Sequence, residues 1–572
     1  MTVVPDFPQL GPISRDAHPA LADREAVVEA QACLQCGGPC AAAPCVRSCP
    51  AEIDIPGFIA QIASGRPRDA ATTIFRDNIL GGTCARVCPV EVLCEGSCVL
   101  LKEGRRPIHI ARLQRYATDH AFEHPGPAVT GAAATRRAES VGVIGAGPAG
   151  LACAAELALA GYGVVLYERR DFPGGLITRG IAPYKQQYRP LPQEFEQIRS
   201  LGVEFRFGVA IGAGVTLGQL RASHGAIFLG VGMGDDMPAR VPGEHLPGVW
   251  ESLRFIEELK LGRAGTLHVG RRVAVIGGGN TAIDVAREAV MLWNTEVTGG
   301  NTAVDVARQA VMMGASEVLM LYRRGEAEMP AFRHEIHAAK NEGVRIIPLV
   351  APVEFLGTDR VRAVRCVRMR LGAPDASGRP RPEPIPGSEF EVEADTVIKA
   401  IGQKPHADLF KTLGVEMNGS VVRVDDGLRT SVAGVYAGGD CINGGSTVVQ
   451  AVRDGKLAAR AIERDFSGRA APARPRAVPA RREVDDGTVR HFQADFRLTT
   501  APRLCKGCNV CVQGCPTDTL RLDGSNRIEV VDPNTCVFCG LCEARCPDFA
   551  IWMVRGESER TRVSLRESEV AS

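Results

Sequence analysis

The sequence predicts a multidomain α/β chain. Two doubly wound nucleotide-binding domains lie between a helical, cysteine-rich N-terminal segment and a small cysteine-rich α+β unit near the C-terminus. Three observations carry this. Two glycine turns each stand between a Val/Ile-rich strand and a helical stretch, at 141–160 and 273–291. From about 141 to 465 the chain alternates short apolar strands, glycine turns and helices, the pattern of doubly wound domains. Most of the 20 cysteines fall in CxxC-type blocks at the two ends.

At 572 residues the chain is long enough for several domains of about 150 residues. Its 45% apolar and 23% charged content describe a soluble globular protein. A net charge of +1 argues against a nucleic-acid or membrane-surface partner, since neither field attracts it. No apolar run approaches the roughly 20 residues of a membrane helix. The opening MTVVPDFPQLGPISRD lacks the charged and apolar regions of a secretory signal. Cysteine blocks inside so large a chain point to metal ligation in a reducing cytoplasm.

The N-terminal element, residues 1–137, holds helix-like segments such as Ile55–Ala63 and Ile108–His120. The passage HPGPAVTGAAAT then leads into the strand Val141–Ile144. In the next element, Gly145, Gly147, Pro148, Ala149 and Gly150 form G-x-G-x-x-G between strand and helix. The first glycine makes the turn, the second admits a pyrophosphate, and the third packs helix on strand. Glu168 ends the following strand, where a carboxylate accepts from ribose hydroxyls.

The second nucleotide element is RRVAVIGGGNTAIDVAREAV, with Gly277, Gly278, Gly279, Asn280 and Thr281 as the phosphate cradle and Ala282 completing G-x-G-x-x-A. The strand Glu317–Tyr322 ends in Arg323 and Arg324 rather than an acid, which suits a ribose 2′-phosphate and favours NADPH over NADH. A solvated strand end is the plain alternative for these arginines. Residues 277–297 align with 298–318 with 14 identities, including Asn280/Asn301, Asp284/Asp305 and Arg287/Arg308. The offset is too local for a solenoid and reads as a segmental duplication. Thr298 stands where the second copy needs its turn glycine, so the first copy is expected to hold phosphate.

The stretch SGRAAPARPRAVPARR at 467–482 is too rich in Pro, Ala and Arg to pack a core and reads as a linker. Beyond it come Cys505, Cys508, Cys511 and Cys515 before Pro516, then Cys536, Cys539, Cys542 and Cys546 before Pro547. Each is C-x2-C-x2-C-x3-C-P, in which three thiolates hold one 4Fe–4S cluster and the fourth ligates the other. One cluster therefore takes Cys505, Cys508, Cys511 and Cys546, and the other Cys536, Cys539, Cys542 and Cys515. Zinc is the competing metal, but its sites use two CxxC pairs.

With CLQCGGPCAAAPCVRSCP, TCARVCPVEVLCEGSC and ARLQRYATDHAF near the start, the chain resembles the electron-entry half of dihydropyrimidine dehydrogenase and the small subunit of NADPH-dependent glutamate synthase. GGLITRGIAPYK at 174–185, LYRRGEAEMP at 321–330, VIKAIGQ at 397–403 and YAGGDCINGGSTVVQAVRDGK at 436–456 extend the resemblance over roughly residues 30–465. It implies FAD, NADPH and two N-terminal 4Fe–4S clusters, with the NADPH domain inserted into the FAD domain. The implied boundaries are 138–268 and 399–466 for FAD, 269–398 for NADPH, a linker at 467–500, a ferredoxin domain at 501–556 and a tail at 557–572.

The resemblance also implies ligands. Cys33, Cys36, Cys45 and Cys98 take one cluster; Cys49, Cys88, Cys94 and Gln114 take the second. Extra residues between Cys36 and Cys45 bring in Cys40 and leave open which of Cys40 and Cys45 is the ligand, while Cys84 is set aside as a bystander. Gln114 has a plain alternative as a helix-surface residue. Gly175, Gly439 and Asp440 are assigned to FAD. Cys153 and Cys366 read as core residues. No catalytic side chain is expected, because nicotinamide and flavin carry the chemistry.

The function implied is electron exchange between NADPH and a partner through FAD and four clusters. Only a small ferredoxin-like unit follows the linker, so the terminal substrate site falls to a partner subunit in a hetero-oligomer. CVFCGLCEARCPDFAI resembles the ferredoxin-type subunit of 2-oxoacid:acceptor oxidoreductases, the leading partner. Glutamate synthase, pyrimidine-reductase or sulfite-reductase-type partners, a stand-alone NADPH:ferredoxin or small-molecule reductase, and a wiring scaffold with dead nucleotide sites are the rivals.

Overall fold

The computed structural model describes residues 19–37, 42–124, 136–212, 214–261, 263, 267–291, 315–375, 378–468, 496–532, 535–537, 539–547 and 550–555. Cys40, most of the second repeat copy, most of the linker and the tail lie outside them. The described chain forms two compact units. One falls within 131–471; the other joins 19–130 to the residues beyond 472.

The first unit holds two parallel sheets. One runs Val435–Ala437, Ala226–Leu229, Ser140–Ile144, Gly163–Tyr167, Glu204–Arg206 from edge to edge. Its middle strands are buried along nearly their whole length, as parallel strands covered on both faces must be. The helix Pro148–Leu159 begins with proline at its first turn, where no N–H partner is needed. It lies close against Val448–Ser467: a Cβ on Gly455 would stand 2.2 Å from the Ala149 carbonyl oxygen.

The second sheet runs Val249–Glu251, Thr396–Lys399, Arg272–Ile276, Glu317–Tyr322, Arg345–Pro348, again all parallel. It takes in Val249–Glu251, which lies before the expected entry at 269, and the chain returns afterwards to add Val435–Ala437 to the first sheet. An antiparallel layer, Val350–Gly357, Val361–Pro374, Pro380–Pro384 and Phe390–Glu393, is built within the second segment.

A buried ionic lattice ties the two halves of this unit. Lys185 pairs with Asp284 at 2.7 Å and Glu335 at 2.8 Å, and Arg287 pairs with Glu335 and Glu342 at 2.8 and 2.7 Å. The Tyr184 hydroxyl donates to Asp284, and its ring lies under the Arg287 guanidinium. Asp284 and Arg287 belong to the first repeat copy, so that copy forms the helix Asn280–Met291. Burial alone raises the Glu335 carboxyl, but Lys185 and Arg287 outweigh it and hold the group below its ordinary value. Its stabilising contribution is therefore present above the unfolded value of about 4.3 and is lost as pH falls through the lower folded value. Thermal melts at descending pH should show this unit weakening below about pH 4, with a shallower slope in Glu335→Gln.

In the second unit, Asp23–Gln31, Ile55–Ala63, Pro67–Asp77, Gly81–Val87 and Ile110–Glu123 are helices. They pack around Phe58, Ile59, Phe75 and Leu113, none more than 1% exposed; each such side chain contributes about 1.5–3 kcal/mol. Arg106 grips buried Glu29 through two bonds of 2.6 and 2.8 Å, and the His109 N–H adds a third. The C-terminal part pairs Phe496–Thr500 with Ile551–Arg555 and Leu520–Leu522 with Ile528–Val530, both antiparallel.

Candidate functional site

The two glycine turns share one design. A Cβ on Gly145 would lie 2.5 Å from the Gly230 carbonyl oxygen, and one on Gly150 would lie 1.9 Å from that of Gly145. A Cβ on Gly277 would lie 2.3 Å from the Ala400 oxygen. These glycines are packed against backbone. The middle glycines differ: nothing stands nearer than 4.0 Å to a Cβ on Gly147 or Gly279. Each turn thus leaves an open notch at the N-terminus of a 12-residue helix, Pro148–Leu159 or Asn280–Met291. Free N–H groups and the helix dipole there suit a pyrophosphate.

Around the first notch, Glu168 is buried, and each oxygen accepts one backbone N–H, from Ala146 at 2.8 Å and Arg170 at 2.9 Å. It braces the glycine turn and keeps lone pairs for ribose hydroxyls. Gly174 donates to the Ala146 carbonyl, and Gly175, at φ 55°, places its Cβ position 3.1 Å from Gly147 Cα. The GGLITRG segment is therefore packed on the turn. Asp440 opens a short helix after Gly439 and accepts from the Ser446 N–H. Burial raises its carboxyl.

The sequence reading missed Asp454, a buried residue whose Oδ2 accepts the Gly439 N–H at 3.0 Å. A lone acid on the apolar side of an amphipathic helix was the available signal. Cys441 packs in the apolar core with its thiol near the Gly438 and Leu229 carbonyls, and burial pushes it up to about 12.

At the second notch the loop after Tyr322 folds back over the turn. Ala331 donates to the Gly278 carbonyl, the Asn280 side chain accepts from the Phe332 N–H, and the Tyr322 ring fills the space where a Gly278 Cβ would stand. Asn280, expected at phosphate, thus has its oxygen engaged with this loop. Thr281 is half-buried on the same first turn.

The two arginines separate. Arg324 is buried, donating to Asp375 at 2.9 Å and to the Pro380 carbonyl at 2.8 Å. Arg323 is exposed, and its guanidinium has no partner among the described residues. The pairwise expectation is corrected to one arginine: Arg324 fastens the antiparallel layer to the strand end, and Arg323 alone is available to an anion.

Among the described residues no group of three or more His, Cys, Asp or Glu is placed to hold a metal ion; the thiols stand around cavities instead. Cys33, Cys36, Cys45 and Cys98 line one, with Ile55, Ile59, Ile108 and Ile110. Cys515, Cys536, Cys539 and Cys542 line another, beside Pro516 and Leu541. Cys511 lies with Cys505 and Cys546 and is pushed up to about 11, by burial first and then by their charge; Cys508 is exposed. Cys49, Cys88 and Cys94 gather in a fourth place.

Burial and crowding make Cys36, Cys45, Cys88, Cys94, Cys511, Cys539 and Cys542 hard to ionise singly; Cys539, for example, is pushed up to about 11. A cationic core that accepts four thiolates relieves both effects, so the donor sets fit iron–sulfur clusters. Cys36 feels Cys539 as well as Cys33, Cys45 and Cys98. Cys84, set aside as a ligand, shares a side-chain hydrogen bond with Cys88. Gln114 is buried, its amide donating to the Gly81 carbonyl at 2.6 Å. Cys153 and Cys366 are fully buried.

Fold and sites together define an NADPH-dependent flavin and iron–sulfur oxidoreductase subunit. Residues 139–455 match the pyridine nucleotide-disulphide oxidoreductases, 14–125 the dihydropyrimidine dehydrogenase domain II 4Fe–4S family, and 504–550 the 4Fe–4S dicluster domain. The chain belongs to the glutamate synthase small-chain family, with a ferredoxin domain fused at its C-terminal end. It is 36% identical to the glutamate synthase (NADPH) small chain of Halomonas elongata over 77% of this chain and 90% of that one. It is 38% identical to the NADPH-Fe(3+) oxidoreductase subunit beta of Geobacter sulfurreducens over 74% of this chain and 63% of that one. It is 36% identical to the NADP(+)-dependent formate dehydrogenase subunit beta of Moorella thermoacetica over 74% and 60%. Among the described residues no helix is long and apolar enough to cross a membrane.

Proposed function

We propose that this chain exchanges electrons between NADPH and a partner subunit through FAD and four 4Fe–4S clusters, in the cytoplasm, as part of a hetero-oligomer. The observation that carries the reading is the gathering of fourteen cysteines into four separate places in a chain that also holds two open notches at helix N-termini. When bound, the nicotinamide and flavin supply hydride transfer and the clusters supply single-electron transfer. The chain's own residues bind and orient. The notches at Gly147 and Gly279 take pyrophosphates, Glu168 orients a ribose, Asp440 and Asp454 fix the Gly439 turn, and Arg323 meets the 2′-phosphate.

The C-terminal segment CVFCGLCEARCPDFAI favours a 2-oxoacid:acceptor oxidoreductase as partner, with electrons then able to run from the oxoacid to NADP. The name of the Moorella relative favours a second reading, a formate-oxidising partner. Co-purification from the native source separates the two. An anaerobic titration tests the core: NADPH should bleach the flavin faster than NADH does, with about sixteen irons per chain. Absence of bleaching in FAD-loaded protein overturns the reading.

Gln114 is proposed as the fourth ligand beside Cys49, Cys88 and Cys94. Gln114→Ala should then lose about four irons while Cys84→Ala keeps them. The reverse result gives the position to Cys84.

A further inference from the structure

Within the second unit, the contacts between the N-terminal helical part and the C-terminal ferredoxin part include three that each flank a cysteine of a quartet, besides the pairing of Lys102 with Asp518 at 3.8 Å. The Gly37 N–H donates to the Val537 carbonyl at 2.6 Å. Gly37 follows Cys36, and Val537 follows Cys536. The Lys102 ammonium donates to the carbonyl of Cys515 at 2.9 Å, from the short helix Val99–Glu103 directly after Cys98. The Arg545 guanidinium pairs with Glu103 at 2.9 Å, and Glu103 is only 9% exposed. The first two anchors join the same two cavities: the one lined by Cys33, Cys36, Cys45 and Cys98, and the one lined by Cys515, Cys536, Cys539 and Cys542. Val537 at this joint is buried.

We infer that these two quartets form the single electron joint between the two iron–sulfur parts of one chain, with Lys102, Glu103 and Arg545 as positioning residues. The inference rests on the electron-carrying reading above. It gives the ferredoxin part a direction: the Cys515 quartet is its inner site, and the Cys505, Cys508, Cys511 and Cys546 quartet, with exposed Cys508, is its outer site toward the partner. Each transfer moves one electron, so the first site is oxidised by one as the second is reduced by one. Two such transfers account for the electron pair that NADPH supplies. A lysine and an arginine at the joint also offset the negative charge that accumulates when thiolate-held clusters are reduced.

The test uses the full chain as Arg545→Glu, Glu103→Arg and the double exchange, each with iron counted. In anaerobic stopped flow with NADPH, flavin bleaching should be unchanged in all three. The later wave of cluster bleaching should slow by about tenfold or more in each single variant and recover to at least about a third of the original rate in the double exchange. Hydrogen exchange at the Gly37 amide should be slow in the parent chain and in the double exchange, and fast in the single variants. An unaltered later wave with full iron overturns the joint, as does slow Gly37 exchange in both single variants. A later wave whose rate rises with protein concentration places the joint between two copies and overturns the single-chain form. If NADPH fails to bleach the parent flavin, the electron-carrying reading falls, and Gly37 exchange decides the docking by itself.

Discussion

Arg323→Ala should raise the KM for NADPH by roughly tenfold to a hundredfold, the loss of one or two charge-assisted hydrogen bonds worth about 1.5–3 kcal/mol. Turnover with NADH should be unchanged, because NADH has no 2′-phosphate for the guanidinium to meet. Arg324→Ala should act in a different way. Arg324 is 5% exposed and holds Asp375 and the Pro380 carbonyl. Its removal leaves a half-buried carboxylate without its cation, at a cost of up to about 3–5 kcal/mol for a buried pair. The expected result is a lower melting temperature with little change in the ratio of NADPH to NADH activity. Steady-state kinetics with both dinucleotides, beside thermal melts, read the two effects separately. A cofactor switch in Arg324→Ala, or none in Arg323→Ala, would refute the division of roles.

The second large effect concerns the first glycine turn. Gly150→Val places its Cβ 1.9 Å from the Gly145 carbonyl oxygen, a backbone atom that cannot rotate away. Helix and strand must part, at about 1–3 kcal/mol or more, and flavin binding should be lost with stability. A Cβ at Gly147, as in Gly147→Val, meets no atom of another segment nearer than the Gly230 oxygen at 4.0 Å. It should fold near normally yet purify without FAD, since the side chain fills the notch the pyrophosphate needs. The ratio of flavin to protein absorbance, beside a melt of each variant, distinguishes a blocked notch from a broken turn. A Gly147→Val chain that retains FAD would move the pyrophosphate elsewhere.

Acid sensitivity follows from the same logic as the arginines. Lys185 and Arg287 share Glu335 in a buried setting, so protonating that carboxylate removes one of the two anionic partners of each cation, leaving Asp284 to Lys185 and Glu342 to Arg287.

Much of this protein is written in short-range spacing. The strand–glycine–helix stretches at 141–160 and 273–291 each form the parallel strand, turn and helix their residues imply. Spacing works there because a tight turn depends on neighbours within a few residues. The C-terminal motif also carries a long-range statement, that Cys515 joins Cys536, Cys539 and Cys542, and these four line one cavity. It is legible because the loop and the proline after it fix the direction of the chain. Cys45 stands with Cys33, Cys36 and Cys98, while the alternative that spacing left open, Cys40, lies outside the described residues.

Other features depend on residues distant in sequence. Adjacent Arg323 and Arg324 are alike as letters and opposite in exposure, because Asp375 and the Pro380 carbonyl reach only one of them. Asp454 reads as an ordinary helix residue until Val448–Ser467 is packed on the glycine turn. The mutual approach of Gly37 and Val537 follows from no local pattern. The sequence by itself determined the modules and the cofactor classes they suit, since turns and ligand loops are closed by near neighbours. The tertiary structure alone decided which arginine faces solvent, which carboxylate braces the Gly439 turn and that Gly37 meets Val537, because burial and charge pairing are set by surfaces that come together only when distant segments pack.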